Sequence, residues 1–482
     1  MSSKKEKKNK INKGGVQVFL TAMVFALIFL AMIGNLVLFQ MKESDVAYTN
    51  SYNSKRVEAV KAETTRGTIY ASSGDVLAES KNNENGEEVR DYPYGSLFAH
   101  TVGYEKEGAA GIEKSMQQYL IRSDISLDEK LKNDLADKKD QGNSVYTSLD
   151  PAIQQIAYNS LGDYRGAVVV TEVKTGKILA MVSKPDFDPG TIEENWDEVS
   201  SDIENSPLLN RASQGMYPPG STFKILTALE FIRENPTDWK EYHFTCQGKF
   251  NYEDCTIKCF HNTVHGYEDL EESFADSCNS SFANLGTGLN RIGFSKTLKQ
   301  LYFNEDLPTD VISSPSHISM RQNMTANEIC QTSIGQSETL MSPLHLNMIT
   351  ESIANDGVMM KPYMVEKVTT ADGRVIKSYE PQELGRVMSH EEARALTGFM
   401  TAVVNGGTGK ALSGQPYTAA GKTGSAEFSD KSDISHAWFT GFAPVEDPQI
   451  AVTVIMEKAG TGGTHAAPVA KRIFAGYFGM NM

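Results

Sequence analysis

Tryptophan, cysteine and positive charge are all in short supply in this chain of 482 residues. It has three tryptophans and five cysteines, and 46 Lys and Arg face 61 Asp and Glu, a formal net charge of −15 at pH 7. The shortage of positive charge argues against a nucleic-acid binder, whose affinity comes largely from neutralising phosphates. So few cysteines exclude a disulfide-built scaffold, and their odd number leaves at least one thiol unpaired. There is no repeat at a solenoid period. What remains is an ordinary globular composition, 40% hydrophobic and 22% charged, in a length that holds two or three domains.

The amino terminus departs from that average. Lys4, Lys5, Lys7, Lys8, Lys10 and Lys13 precede an uncharged run, VQVFLTAMVFALIFLAMIGNLVLF, from Val16 to Phe39. A bilayer needs about 20 apolar residues, so the run is long enough to cross one. It is too long for a signal-peptide core, and no clear small-x-small cleavage site follows. Lysines stay on the cytoplasmic side of such a span, which places the rest of the chain outside. This reading gives a basic cytoplasmic tail (1–15), a transmembrane anchor (16–39) and an exported, acidic remainder.

From 40 to 145 the chain is polar, with few long periodic segments. TTRGTIYASSGDVLAES (Thr64 to Ser80) reads as two short strands about the turn Ser73-Gly74-Asp75, and ESKNNENGEEVRD (Glu79 to Asp91) as a solvated loop. LDEKLKNDLADKKDQGN (Leu127 to Asn143) reads as an exposed charged helix or linker. The region as a whole reads as a strand-containing spacer. The segment 146–482 has another character. Asp150 and Pro151 mark a helix start. GAVVVTEVKTGKILAMVSKP (Gly166 to Pro185) is a hairpin with β-branched strands, HAWFTGFAPVEDPQIAVTVIME (His436 to Glu457) is a second, and APVAKRIFAGYFG closes the chain as a helix. Strands early and late, with a long helical middle, predict one sheet fed from both ends and covered by helices, an α+β arrangement.

Three short constellations carry chemistry. In MYPPGSTFKILTALEFI, a Pro-Pro-Gly run delivers Ser221 to the start of a helix, with Lys224 one turn on. A serine hydroxyl needs a base beside it to act as a nucleophile, and positions i and i+3 share a helix face. Ser277-Cys278-Asn279, in FADSCNSSFANLG, lies between helical segments. Lys422-Thr423-Gly424, in YTAAGKTGSAEF, lies on a strand with small neighbours. Each is weak alone; order, spacing and context make the set strong.

S-x-x-K, Ser-x-Asn and K-T-G together are the signature of penicillin-binding proteins and serine β-lactamases. The chain resembles class B penicillin-binding proteins, membrane-anchored monofunctional transpeptidases of bacterial cell-wall synthesis. RGTIYASSGDVLA (Arg66 to Ala78) and GIEKSMQQYL (Gly111 to Leu120) resemble blocks of the class B amino-terminal module. SIGQSETLMSPLHL (Ser333 to Leu346) and AWFTGFAP (Ala437 to Pro444) resemble blocks of the transpeptidase domain. No glycosyltransferase-like segment precedes the catalytic motifs, so the bifunctional class A pattern is not met.

The resemblance implies a β-lactamase-like domain, an antiparallel sheet flanked by helices, on a strand-containing pedestal (40–145). It implies a peptidoglycan D,D-transpeptidase that takes D-Ala-D-Ala stem peptides, is acylated by β-lactams and needs no cofactor. Ser221 would be the nucleophile, Lys224 the base, Ser277 a proton relay and Lys422 a second cation. Asn279 would hold the substrate amide, and Lys422 and Thr423 the terminal carboxylate. Gly424 would allow close approach, and the N–H groups of Ser221 and Ser425 would form an oxyanion hole. A polytopic glycan polymerase is the implied membrane partner, and the catalytic domain is implied to be extracellular. A D,D-carboxypeptidase or a β-lactamase would use the same acyl-enzyme. A penicillin-binding sensor or scaffold is the alternative of another class. Glu427 is open between tuning the site and a plain edge-strand carboxylate; His436 and His465 read as structural or solvated.

The least expected stretch is CQGKFNYEDCTIKCFHNTVHG (Cys246 to Gly266). Free thiols, a Cys246–Cys259 disulfide, or a structural zinc on Cys246, Cys255, Cys259 and His261 all fit its composition. His265-Gly266 resembles a loop-packing pair of class B relatives, and Cys278 is expected to point into the core.

Overall fold

The computed structural model describes residues 13–42, 63–427 and 435–480. The chain divides into two units, Met1–Glu63 and Thr64–Met482. In the first, Lys13–Lys42 is one α-helix. Its Val16–Leu38 stretch is long and apolar enough to cross a membrane, and the described side chains of that stretch are all exposed. A helix of 30 residues at about 1.5 Å per residue is about 45 Å long, more than the roughly 30 Å of a hydrocarbon core. The tail lysines Lys4 to Lys10 lie outside the described residues.

The second unit is built on two sheets. Five antiparallel strands, in the order Ala420–Glu427, Ser435–Ala443, Ile450–Met456, Gly166–Glu172, Ile178–Lys184, lie between two hydrophobic cores, one on each face. The two expected hairpins, Gly166–Glu172 with Ile178–Lys184 and Ser435–Ala443 with Ile450–Met456, are joined edge to edge through Ile450–Met456 and Gly166–Glu172, and Ala420–Glu427 is added at the outer edge. Along Gly166–Glu172, Val168 and Val170 face the helices Pro151–Leu161 and Ala466–Tyr477, while Ala167 and Val169 face the core that contains helix Pro343–Ala354. Successive side chains of a strand point to opposite faces. With both faces covered, the strand reads as an unbroken apolar run instead of an alternation. Asp150 caps the first of these helices, accepting from the N–H groups of Ala152 and Ile153 at 2.8 and 3.1 Å. Pro151 opens its first turn, where a missing N–H costs nothing.

The second sheet has six strands: Val375–Ser378, Val365–Thr369, Ser144–Thr147, Ile69–Tyr70, Val76–Asn82 and Glu88–Asp91. Ser144–Thr147 pairs in parallel with Ile69–Tyr70 on one side and antiparallel with Val365–Thr369 on the other. One sheet thus takes strands from both sides of residue 145. Beneath it, Glu113 is fully buried and accepts from Arg66 Nε at 2.6 Å and Arg90 Nε at 2.7 Å, while its carbonyl accepts from Arg66 Nη2. Arg66 and Glu113 come from the two amino-terminal sequence blocks singled out above.

Glu79–Asp91 is not a simple loop. Val76–Asn82 and Glu88–Asp91 form an antiparallel ribbon with a turn between them. Much of the ribbon is exposed, so no apolar alternation marked it. Lys81 holds it by bonding Glu79 and Asp91, both at 2.8 Å. Leu127–Leu135 is the expected exposed helix.

Candidate active site

The segment before Ser221 is fixed from two sides. Trp438 Nε1 donates to Pro218 O at 3.0 Å. Gly220 donates its N–H to Gly335 O at 2.9 Å. Gly220 has φ +53 and Gly335 φ +74, the left-handed region that favours glycine. A Cβ on Gly335 would lie 2.1 Å from Gly220 O, so the two backbones touch where only glycine fits. Gly220–Phe223 forms a 3₁₀ turn, and the α-helix proper runs Lys224–Glu234. The serine therefore precedes the helix by one tight turn. It does not act as a cap: Thr222 makes the local bond, to Pro219 O at 2.8 Å, and Ser221 Oγ makes no hydrogen bond among the described residues.

Lys224 is fully buried and its ammonium donates three bonds: to Ser277 O at 2.6 Å, Ser277 Oγ at 3.2 Å and Asn279 Oδ1 at 2.7 Å. Ser277 sits between Leu270–Ala275 and Asn279–Gly288 in the left-handed region, φ 56. For a non-glycine residue this conformation carries strain, and here it turns both oxygens of Ser277 onto one cation. Lys422, also fully buried, donates to Ser277 Oγ at 3.0 Å and to Thr423 O at 3.1 Å. One hydroxyl oxygen thus bridges two lysines. Burial pulls Lys224 down to about 8. Lys422 is held well below its usual range, first by burial and then by the charge of Lys224.

Asn279 is engaged at both ends, its Nδ2 donating to Lys258 O at 3.0 Å. Thr423 Oγ1 meets Thr408 Oγ1 at 2.6 Å. A Cβ on Gly424 would come within 3.0 Å of Pro219 O and of Thr222 Cγ2. The close neighbour at Gly424 is thus the chain's own serine turn. Ser425 Oγ accepts from Gly462 N–H at 3.4 Å, and Ala420–Glu427 is the edge strand of its sheet. The Glu427 side chain lies outside the described residues. His436 accepts from Lys458 N–H at 3.2 Å and packs edge-on against Tyr217. His465 Nδ1 meets the Thr464 hydroxyl at 2.8 Å.

Ser277, Asn279 and Lys422 therefore converge on Lys224, one helical turn from Ser221. Four contributors were not legible: Gly335, Trp438, Thr408 and the Lys258 carbonyl. Gly335 and Trp438 lay in singled-out blocks without an assigned task, and Thr408 and Lys258 carried no signal. The cysteine group needs a correction. Cys255 faces the large core with Cys330, and His261 is exposed in a left-handed turn, φ 53. Neither joins Cys246 and Cys259. His265 and Cys278 do.

Comparison with known proteins agrees with this geometry. The penicillin binding protein transpeptidase domain matches residues 166–475, and the penicillin binding protein A dimerisation domain matches 66–145. Peptidoglycan D,D-transpeptidase PbpA of Mycolicibacterium smegmatis is 31% identical over 440 residues, covering 85% of this chain and 88% of the relative. Peptidoglycan D,D-transpeptidase MrdA of Acinetobacter baumannii is 28% identical over 442 residues, covering 80% of this chain and 65% of the relative. The imipenem and penicillin G acyl-enzyme structures of penicillin-binding protein A from M. tuberculosis superpose with TM-scores of 0.79 and 0.78 at 27% and 28% identity. Both cover 86% of this chain, and 99% and 100% of the respective structures. With its serine turn, lysine pair and covered antiparallel sheet, this chain belongs to the penicillin-binding protein transpeptidase family, among the class B members.

Proposed function

We propose the following division of labour for the peptidoglycan D,D-transpeptidase reaction in this chain. Ser221 Oγ attacks the carbonyl carbon of the penultimate D-Ala of a stem peptide. Its proton passes to Lys224 Nζ, which must first be neutral. An ammonium has three donors and no lone pair, and all three donors of Lys224 are spent on Ser277 and Asn279. Loss of one proton frees a lone pair for Ser221. The carbonyl oxygen becomes an oxyanion at the N–H groups of Ser221 and Ser425. The C–N bond then breaks, and the leaving D-Ala nitrogen takes a proton through Ser277 Oγ. An amine of a neighbouring stem peptide attacks the resulting ester, the cross-link forms and the proton returns to Ser221. A β-lactam enters the same acylation step and stops there.

Lys422 and Thr423 suit the terminal carboxylate, with Thr408 orienting the Thr423 hydroxyl. Asn279 holds Lys224 and lines the substrate amide. The Val16–Phe39 run anchors the chain with its lysines on the cytoplasmic side, and residues 40–145 serve as a pedestal beneath the transpeptidase domain of 146–482. Anchor and pedestal are where a polytopic glycan polymerase would dock.

The observation that carries this reading is the single hydroxyl of Ser277 shared between Lys224 and Lys422. Ser277→Ala removes the shared oxygen and leaves the Ser277 carbonyl contact intact. We expect acylation by a fluorescent penicillin to slow by about 10²-fold or more, the usual worth of a placed proton-transfer group, while the protein stays folded. Unchanged acylation in that variant overturns the relay.

A further inference from the structure

We propose that Cys246, Cys259, His265 and Cys278 bind a zinc ion, and that this ion pins the segment 243–269 onto the Ser277–Asn279 turn. The four ligand atoms all lie within 4.8 Å of one another. The sulfurs of Cys246 and Cys259 are 3.6 Å apart, those of Cys259 and Cys278 3.8 Å, and Cys246 Sγ lies 3.4 Å from His265 Nδ1. A tetrahedral zinc with Zn–S about 2.3 Å and Zn–N about 2.05 Å requires sulfurs about 3.8 Å apart and sulfur to nitrogen about 3.6 Å. Three of the six pairs stand close to those separations, and the other three lie within 4.8 Å.

The surroundings suit thiolates. Gly248 N–H points to Cys246 Sγ at 3.4 Å, Ser281 N–H to Cys278 Sγ at 3.4 Å, and the Ser280 hydroxyl lies 3.1 Å from Cys259 Sγ. Each sulfur therefore has a neighbouring N–H or O–H donor, the kind of outer contact that orients metal-bound sulfur. All three cysteines are buried, away from the large core, in a small cluster of their own. The buried Glu268 carboxylate lies beside Cys278 and accepts from the Ser273 hydroxyl at 3.2 Å. A Cys246–Cys259 disulfide would use two sulfurs and leave Cys278 and His265 without a task. Uptake of the divalent ion displaces the three thiol protons to solvent and leaves a three-thiolate, one-imidazole zinc site of net charge about −1.

The location gives the ion a consequence. Cys246, Cys259 and His265 belong to an excursion of two small ribbons, His243–Cys246 with Gly266–Asp269 and Lys249–Tyr252 with Cys255–Lys258. Cys278 lies between Ser277 and Asn279. The excursion reaches the site directly through Lys258 O, which holds Asn279. A tetrahedral ion would tie these pieces together and fix the strained Ser277 that bridges the lysines. This second part rests on the reading of Ser221 as the nucleophile.

The test uses the full chain, purified in detergent under reducing conditions, with metal content measured by elemental analysis. We expect one zinc per chain, replaceable by Co²⁺ with the thiolate charge-transfer and tetrahedral d–d bands that three sulfurs and one nitrogen produce. Cys259→Ser should lose the metal, His265→Cys should keep it, and Ser221→Ala should keep it while failing to label with penicillin. Metal retained in Cys259→Ser overturns the ligand set. Reduced protein that takes up no Zn²⁺ or Co²⁺, or a Cys246–Cys259 disulfide in the isolated chain, overturns the site. Stripping wild type with a chelator should slow penicillin acylation by about 10-fold or more, the scale of lost metal-orienting contacts, and added Zn²⁺ should restore it. Equal acylation rates with and without the ion overturn the clamp. Loss of label in Ser221→Ala with metal unchanged separates the two parts.

Discussion

Among single residues, the proposed chemistry turns on Lys224. Its folded-state value of about 8 comes from burial, which disfavours the ammonium. With the neutral amine of Lys224 as the proposed base, the fraction able to accept the Ser221 proton rises with pH. Acylation of the full chain by penicillin should therefore increase about tenfold per unit below pH 8 and level off above it. A stopped-flow pH series checks this; a rate that falls between pH 6 and 8 would exclude Lys224 as the base. The residues proposed for this step stand out in the sequence because the chemistry demands particular types: a hydroxyl, an amine at i+3, a second amine on a strand. The choice between His261 and His265 was not legible. Composition placed both near the cysteines, and only the backbone, left-handed at His261 and extended into a strand after His265, decides which ring turns inward.

At the scale of elements, the serine turn depends on backbone packing that no side-chain motif announces. Gly335 touches Gly220 O so closely that Gly335→Ala must move the turn carrying Ser221. A left-handed alanine costs about 1–2 kcal/mol, small against a core of this size. We expect a folded protein, by circular dichroism, whose penicillin labelling is nearly abolished. Normal labelling would show that the turn tolerates displacement. The two hairpins of the main sheet were legible from β-branched runs and turn residues. The pairing of Ser144–Thr147 with Val365–Thr369 was not, because a contact across more than two hundred residues leaves no local pattern. The Val76–Asn82 ribbon escaped for another reason: it buries too little for hydrophobic periodicity to mark it.

At the scale of the whole molecule, the amino-terminal blocks and the catalytic domain share a sheet, and a buried ion cluster holds the amino-terminal side together. Glu113 compensates Arg66 and Arg90 at once. Glu113→Ala leaves two guanidinium groups without their shared carboxylate, a loss of about 3–5 kcal/mol for a broken buried pair. Denaturant unfolding of the full chain should show that shift; a midpoint unchanged from wild type would contradict it. The two sequence blocks that contribute Arg66 and Glu113 were recognisable by resemblance, but their bond was not, since it joins residues with no shared periodicity.

As the proposed nucleophile, Ser221 should form a long-lived acyl-enzyme with β-lactams. The most direct measurement is intact mass over time, with a fluorescent penicillin, on the full chain beside Ser221→Ala. We expect rapid addition of one penicillin, persistence for many minutes, and none in the variant. Adduct that forms and clears within seconds, or label that survives Ser221→Ala, would contradict it.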